Sequence, residues 1–89
     1  MISTTQTTQL KGVLHDLVVN NSHMSAKDIS KAIQKPYSTL LRESNPDDLG
    51  GKIGAVTLFS IMLATGEVEP LRWMAQELGY TLVATEAPA

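Results

Sequence analysis

Cysteine is absent from the 89 residues of this chain. Its absence excludes disulfide bonds, thiol nucleophiles and thiolate metal sites, and it is typical of proteins in a reducing cytoplasm. The sequence also lacks any apolar run close to the roughly 18 residues that a membrane span requires. Its first residues are rich in Thr and Gln, unlike a secretory signal. We therefore expect a cytoplasmic protein with no membrane partner.

Aromatic residues are scarce as well, with one Trp, one Phe and two Tyr. So few rings do not favour the stacking platforms on which proteins hold single-stranded nucleic acid. The sequence also gives little indication of a metal site or a phosphate-binding loop. His15 and His23 have no third metal ligand at a recognised spacing, and residues 50–52 lack the strand and hydroxyl residue of a phosphate-binding loop. We find no catalytic arrangement and predict neither an enzyme nor a cofactor.

The net charge of −2 is unevenly distributed along the chain. Residues 1–45 carry five basic and three acidic side chains, whereas residues 46–89 carry two basic and six acidic ones. A molecule with one basic end can present that end to phosphate while its acidic end stays in solvent. An ordinary scatter of solvated charges explains the same numbers, so charge alone decides little.

Hydrophobic spacing predicts an all-α fold with five helices. The first helix carries one apolar stripe at helical spacing, formed by Leu10, Val13, Leu14, Leu17 and Val18. Ser25 is placed to cap the second helix, which should end by Lys35 because the residue before a proline is pushed out of the helical region. Pro36 can open a third helix, which Asn45-Pro46 ends after two to three turns.

The second half of the sequence predicts the remaining two helices. Residues 53–64 are apolar on nearly every face, which is typical of a central buried helix. A fifth helix begins near Glu69-Pro70 and ends at Gly79, with an inner row of Leu71, Met74, Ala75 and Leu78. We expect one domain over residues 9–83, a flexible polar N-terminus over residues 1–8 and a flexible tail over residues 84–89.

The second and third helices, joined by a short turn, have the arrangement of a helix-turn-helix. In such a unit the first helix contacts the DNA backbone and the second lies in the major groove. Base edges are read by polar side chains on the first turns of that second helix. The side chains predicted for this role are Tyr37, Ser38, Thr39 and Arg42.

The same unit supplies three cations for the phosphates, Lys27, Lys31 and Lys35, which would fix the position on DNA without reading sequence. The turn departs from the usual pattern, because Gln34 stands where many such units carry glycine. A small residue is expected four positions earlier, and Ser30 meets that expectation. The alternative interpretation is that these helices are simply part of a helical bundle.

Trp73 lies on the predicted fifth helix, away from its apolar row. An exposed Trp is a common anchor of protein interfaces. We therefore predict that Trp73, Tyr80 and Leu82 contribute to a homodimer contact. Alternatively, residues 80–83 form a short extended segment that folds back over Trp73 within one monomer.

Two stretches of this sequence, Ser25–Pro46 and Phe59–Tyr80, resemble the phage regulatory protein CII family of temperate phages. The most specific pieces are Lys35–Leu40, Asn45-Pro46, Thr65-Gly66 and Leu78–Tyr80, within a similarity that covers roughly residues 15–83. The resemblance implies a lambda-repressor-like five-helix domain that binds phage promoter DNA and affects the choice between lysis and lysogeny, often as an activator. It also implies that residues 36–42 form the recognition helix.

The resulting hypothesis is a transcription regulator of phage or prophage origin that binds double-stranded DNA in the cytoplasm of a bacterial host. Its other expected partners are further copies of itself, as a homodimer or higher homo-oligomer, and RNA polymerase if it is an activator. The alternative is a protein-interaction module, such as an antitoxin or anti-repressor. In that case the outward face of the third helix and the acidic second half would bind a protein.

Overall fold

The computed structural model describes residues 2–21, 23–48 and 50–85. Within these ranges the chain forms five α-helices and no strand: α1 Thr4–Val19, α2 Ala26–Ala32, α3 Tyr37–Ser44, α4 Ala55–Thr65 and α5 Glu69–Glu77. The prediction of an all-α fold with five helices is therefore confirmed. None of these described helices has the length and apolar character needed to cross a bilayer. Of the predicted tail 84–89, residues 86–89 lie outside the described ranges.

The central helix is α1, which packs against α2, α3 and α5. Its apolar stripe supplies three of the buried core residues, Leu14, Leu17 and Val18. The helix begins before the stripe does, because Ser3 and Gln6 form a reciprocal capping box in which each side chain accepts the other's backbone N–H. Residues 4–8, for which the polar sequence predicts a flexible terminus, are helical instead.

Local signals place α2 and α3 where the sequence predicts them. The Ser25 hydroxyl oxygen accepts the backbone N–H of Asp28, and Pro36 is the N-cap of α3. The inner face of α3 buries Leu40 and Ser44. Both α2 and α3 contribute to one core, whose buried members are Leu14, Leu17, Val18, Ile29, Leu40, Leu58 and Ile61.

The prediction that residues 53–64 form a central buried helix was wrong. Only one face of α4 is buried, through Leu58, Ile61 and Thr65. On the opposite side Val56 and Phe59 are exposed. Among the described helices α4 packs against α2 alone, so its opposite side has no cover. The apolar character of α4 therefore exceeds what one copy of the chain covers.

The inner face of α5 matches the predicted row only at Met74, which packs against the core, and at Ala75. Pro70 and Ala75 are buried, whereas Leu71 is partly exposed and Leu78 is 79% exposed. The cause is the packing of α5 on α1, which selects the face that carries Pro70, and Leu78 is already the C-cap residue beyond the last turn. Gly79 follows with φ +88°, the left-handed conformation predicted for it.

Candidate nucleic-acid interface

The turn between α2 and α3 depends on a left-handed residue. Gln34 has φ +57° and is the one non-glycine with positive φ among the described residues. The next amide, that of Lys35, donates a hydrogen bond of 3.0 Å to the Ser30 carbonyl oxygen and so closes the end of α2. Ser30 itself is buried at this point. The turn thus has the conformation for which glycine is usual, although glutamine occupies it.

Replacing Gln34 by glycine is expected to stabilise the chain by up to about 1 kcal/mol. A non-glycine residue in this conformation costs about 1–2 kcal/mol, and glycine offsets part of the gain through its greater freedom in the unfolded chain. Gln9→Gly is the matched control, because Gln9 is an exposed residue inside α1, where the same change should destabilise by about 1 kcal/mol. Urea unfolding at equal protein concentration measures both, and equal losses in both variants would contradict the role assigned to the turn.

The outward face of α3 is polar and accessible. Ser38 and Arg42, four residues apart, are exposed, Thr39 is half-buried and Tyr37 lies at the margin of the exposed face. Leu40 is fully buried on the opposite side. Side chains four apart lie on the same face of a helix. The helix therefore offers two hydroxyl groups and a guanidinium group on one side while its apolar side holds it to the core.

Two of the three predicted phosphate ligands are exposed on α2, and one of them, Lys27, lies beside α3. Lys27 Nζ is 5.7 Å from the centre of the Tyr37 ring, which places the cation of α2 at the N-terminal end of α3. Lys31 is one turn further along α2 and is exposed. Within the part of the chain that the structure describes, neither lysine forms an ion pair. Both ammonium groups are thus accessible to an anionic ligand.

Lys35, the third predicted phosphate ligand, is occupied within the fold. Its Nζ lies 2.7 Å from Glu43 Oε1, and both side chains are mostly buried. The pair joins the turn to the last half of α3, so it supports the orientation of that helix. Glu43 was not predicted from the sequence, although its charge is opposite to that of Lys35 eight residues earlier.

Arg42 faces an acidic neighbour from the second half of the chain. Its Nε lies 3.7 Å from Asp48 Oδ2 in an exposed, loose ion pair. Such pairs are worth only about 0–1 kcal/mol, so a stronger anionic ligand can displace Asp48. The basic first half and the acidic second half of the sequence are therefore not fully separated in the folded chain. The loop after α3 brings the carboxylate of Asp48 next to Arg42 on the outward face of α3.

A buried lysine fixes this loop. Lys11 on α1 is 6% exposed, and its Nζ donates to the backbone carbonyl oxygens of Asp48 and Gly51. Gly51 is required there, since a Cβ would lie 2.7 Å from the carbonyl oxygen of Arg42. Neither the contact of Lys11 with the loop nor the need for glycine at position 51 was predicted from the sequence. The available signal was that Lys11 precedes the buried Leu14 by three residues and so lies on the inner face of α1.

The predicted oligomer contact around α5 is less exposed than its sequence indicates. Trp73 is half-buried, and it lines an apolar groove with Leu10 of α1 and with Ile2, which precedes that helix. Tyr80 is exposed and Leu82 is half-buried. The rotated face of α5 explains the position of Trp73, which turns toward α1 rather than away from the core. The role of these three residues in a dimer stays a prediction.

A family model describes what this chain is similar to. The model of phage regulatory protein CII matches residues 8–89, nearly the whole sequence. No curated protein and no solved structure matches this chain. The matched range includes all of α2, the turn and α3, together with the loop that Lys11 holds. The chain therefore belongs to the phage regulatory protein CII family.

Proposed function

We propose that this phage regulatory protein is a transcription regulator that binds specific sequences in double-stranded DNA, with α3 as its recognition helix. The observation that carries the proposal is the two-sided character of α3. Leu40 and Ser44 hold it from behind, while Ser38 and Arg42 extend outward and the exposed Lys27 of α2 lies beside its first residue, Tyr37. A helix presented in this way fits the major groove, which is about 12 Å wide.

Each polar group on this surface has a distinct role. Arg42 is suited to the two acceptors of a guanine edge, whereas Ser38 and Thr39 can bond to several bases or to phosphate. Lys27 and Lys31 lie on the preceding helix, and in helix-turn-helix units that helix contacts the DNA backbone. We assign no more than a secondary phosphate contact to Lys35, because that contact would have to compete with Glu43.

The family places this regulation in a phage, and we propose the decision between lytic and lysogenic growth as its setting. A single module of this kind buries roughly 600–1,000 Å² on DNA and should bind weakly alone. We therefore propose that two copies bind together. Their half-sites would be spaced by about 10–10.5 base pairs or a multiple of that distance, so that both recognition helices reach one side of the duplex.

A salt titration tests the proposal. Binding to a random duplex should weaken steeply with salt, with a slope of log K against log[salt] of about −0.9 for each phosphate contact. Lys31→Ala should reduce the slope by about one unit per bound copy and weaken all sequences alike. Arg72→Ala is the control, because α5 packs on α1 and, among the described helices, not on α2 or α3. Binding that ignores salt would instead favour a protein-interaction module.

A further inference from the structure

The carboxylate of Asp48 is fixed in place beside the recognition helix. Its Oδ1 accepts the backbone N–H groups of Gly50 and Gly51, at 3.0 and 3.1 Å. The backbone carbonyl oxygen of Asp48 accepts a hydrogen bond from the buried ammonium group of Lys11. Hydrogen bonds thus hold this residue by its side chain and by its backbone, so the negative charge cannot move away from α3 without breaking them.

The second oxygen of the same carboxylate faces Arg42. Asp48 Oδ2 lies 3.7 Å from Arg42 Nε, and the arginine side chain is 65% exposed. Among the described residues this loose contact is the one ion pair that Arg42 forms. A fixed anion therefore lies beside a cation that is free to reorient.

The two kinds of DNA group that Arg42 can bind respond differently to this anion. A phosphate that approaches Arg42 is negatively charged and is repelled by the carboxylate of Asp48 at short range. The edge of a guanine is neutral and offers its two acceptors without such repulsion. Base contact therefore costs only the loose ion pair, whereas phosphate contact costs the ion pair and the repulsion together.

We propose that Asp48 is a specificity-determining residue, which reserves Arg42 for base edges by keeping phosphate groups away from it. The carboxylate contacts no base in this role. It acts by weakening complexes with the wrong sequence, and repulsion of this kind is a general source of specificity. The inference deepens the proposed function and rests on it, because Arg42 is the base reader assigned there.

Asp48→Asn tests this role, because the change removes the charge and keeps the hydrogen bonds that hold the loop. The side-chain oxygen of asparagine can still accept the N–H groups of Gly50 and Gly51. The contact of Lys11 with the backbone carbonyl oxygen does not involve the side chain. The variant should therefore keep the helical circular dichroism of the parent.

The affinity of Asp48→Asn should rise for every duplex, but by unequal factors. A preferred duplex, selected from a random pool, should gain about twofold, because Arg42 no longer has to leave a loose ion pair. A random duplex should gain the same factor and about fivefold more, since two unit charges about 4 Å apart in water repel by roughly that factor. The ratio of preferred to random affinity should therefore fall about fivefold.

Asp47→Asn is the matched control for net charge. The Asp47 side chain is exposed and, among the described residues, pairs with no cation. Its removal changes the charge of the chain by the same amount at the neighbouring position, so both duplexes should gain alike and the ratio should stay that of the parent. The double variant Arg42→Ala/Asp48→Asn is compared with Arg42→Ala alone, and the two should show equal ratios, because without Arg42 the carboxylate has no base reader to protect.

Fluorescence anisotropy titrations of the parent and these variants with both duplexes give the ratios. An unchanged ratio in Asp48→Asn would overturn the proposal. An equal fall in Asp47→Asn, or a fall of the same size in the double variant relative to Arg42→Ala, would overturn it too. In each of these cases the parent still prefers one duplex, so the proposed function stands. A parent that prefers no duplex over another would instead refute the proposed function, and this inference with it.

Discussion

Replacing Arg42 by alanine is expected to weaken binding to the preferred duplex by about 1–3 kcal/mol, which is roughly 5- to 150-fold. The guanidinium group is exposed and reaches outward from α3, and Asp48 holds it only loosely at 3.7 Å. A bidentate pair with guanine would replace that contact by a stronger one. Removing the side chain should also relax sequence preference, because the lost energy belongs to one base position.

Competition between duplexes that differ at single base pairs measures this effect. Arg72→Ala removes the same side chain from α5, where it pairs with Glu69, and should leave the affinity unchanged. Lys31→Ala should weaken preferred and random duplexes to the same extent. If Arg42→Ala and Lys31→Ala had equal effects on every sequence, Arg42 would be a phosphate contact and the assignment of base reading to it would be wrong.

Replacing Leu40 by alanine is expected to reduce the free energy of unfolding by about 2–5 kcal/mol. Leu40 is fully buried and holds α3 in the core that it shares with Leu14, Ile29 and Ile61. Small domains have a total stability of about 5–15 kcal/mol, so the loss is a large fraction of the whole. The melting temperature should fall by at least about 8 °C, since each kcal/mol shifts it by roughly 4–8 °C at this chain length.

Leu78→Ala removes the same atoms from an exposed position and should change stability by no more than about 0.5 kcal/mol. Both variants are compared by urea unfolding at one protein concentration, because self-association would add a concentration-dependent term. A Leu40→Ala variant as stable as Leu78→Ala would mean that α3 is not anchored through its apolar side. The recognition helix would then lack the rigid support that the proposed function requires.

Short-range signals in the sequence predicted the helix-turn-helix unit well. Ser25 caps α2, Pro36 is the N-cap of α3 and Gly79 follows the end of α5, because each effect involves neighbours within a few residues and depends little on the rest of the fold. The outward position of Ser38 and Arg42 followed from the same local periodicity. The turn between α2 and α3 was predicted only in part. Its position was predicted from Pro36, but a glutamine at position 34 gave no sign of the left-handed conformation there.

Features that depend on packing between distant residues could not be predicted. The sequence of α4 indicates burial on every side, but which side is buried depends on the helix that packs against it. Lys11 reaches carbonyl groups about 40 residues away, and nothing local marks it as a partner of that loop. The same holds for Trp73, whose exposure depends on how α5 turns on α1.

The most direct test of the DNA-binding role is an NMR titration of the chain with a short duplex selected for binding from a random pool. We expect the largest shifts along the outer face of α3, at Ser38, Thr39 and Arg42, with Lys27 and Lys31 affected next. Shifts concentrated on α4 or α5 while α3 remains unchanged would contradict that role, and so would the failure of any duplex to be selected.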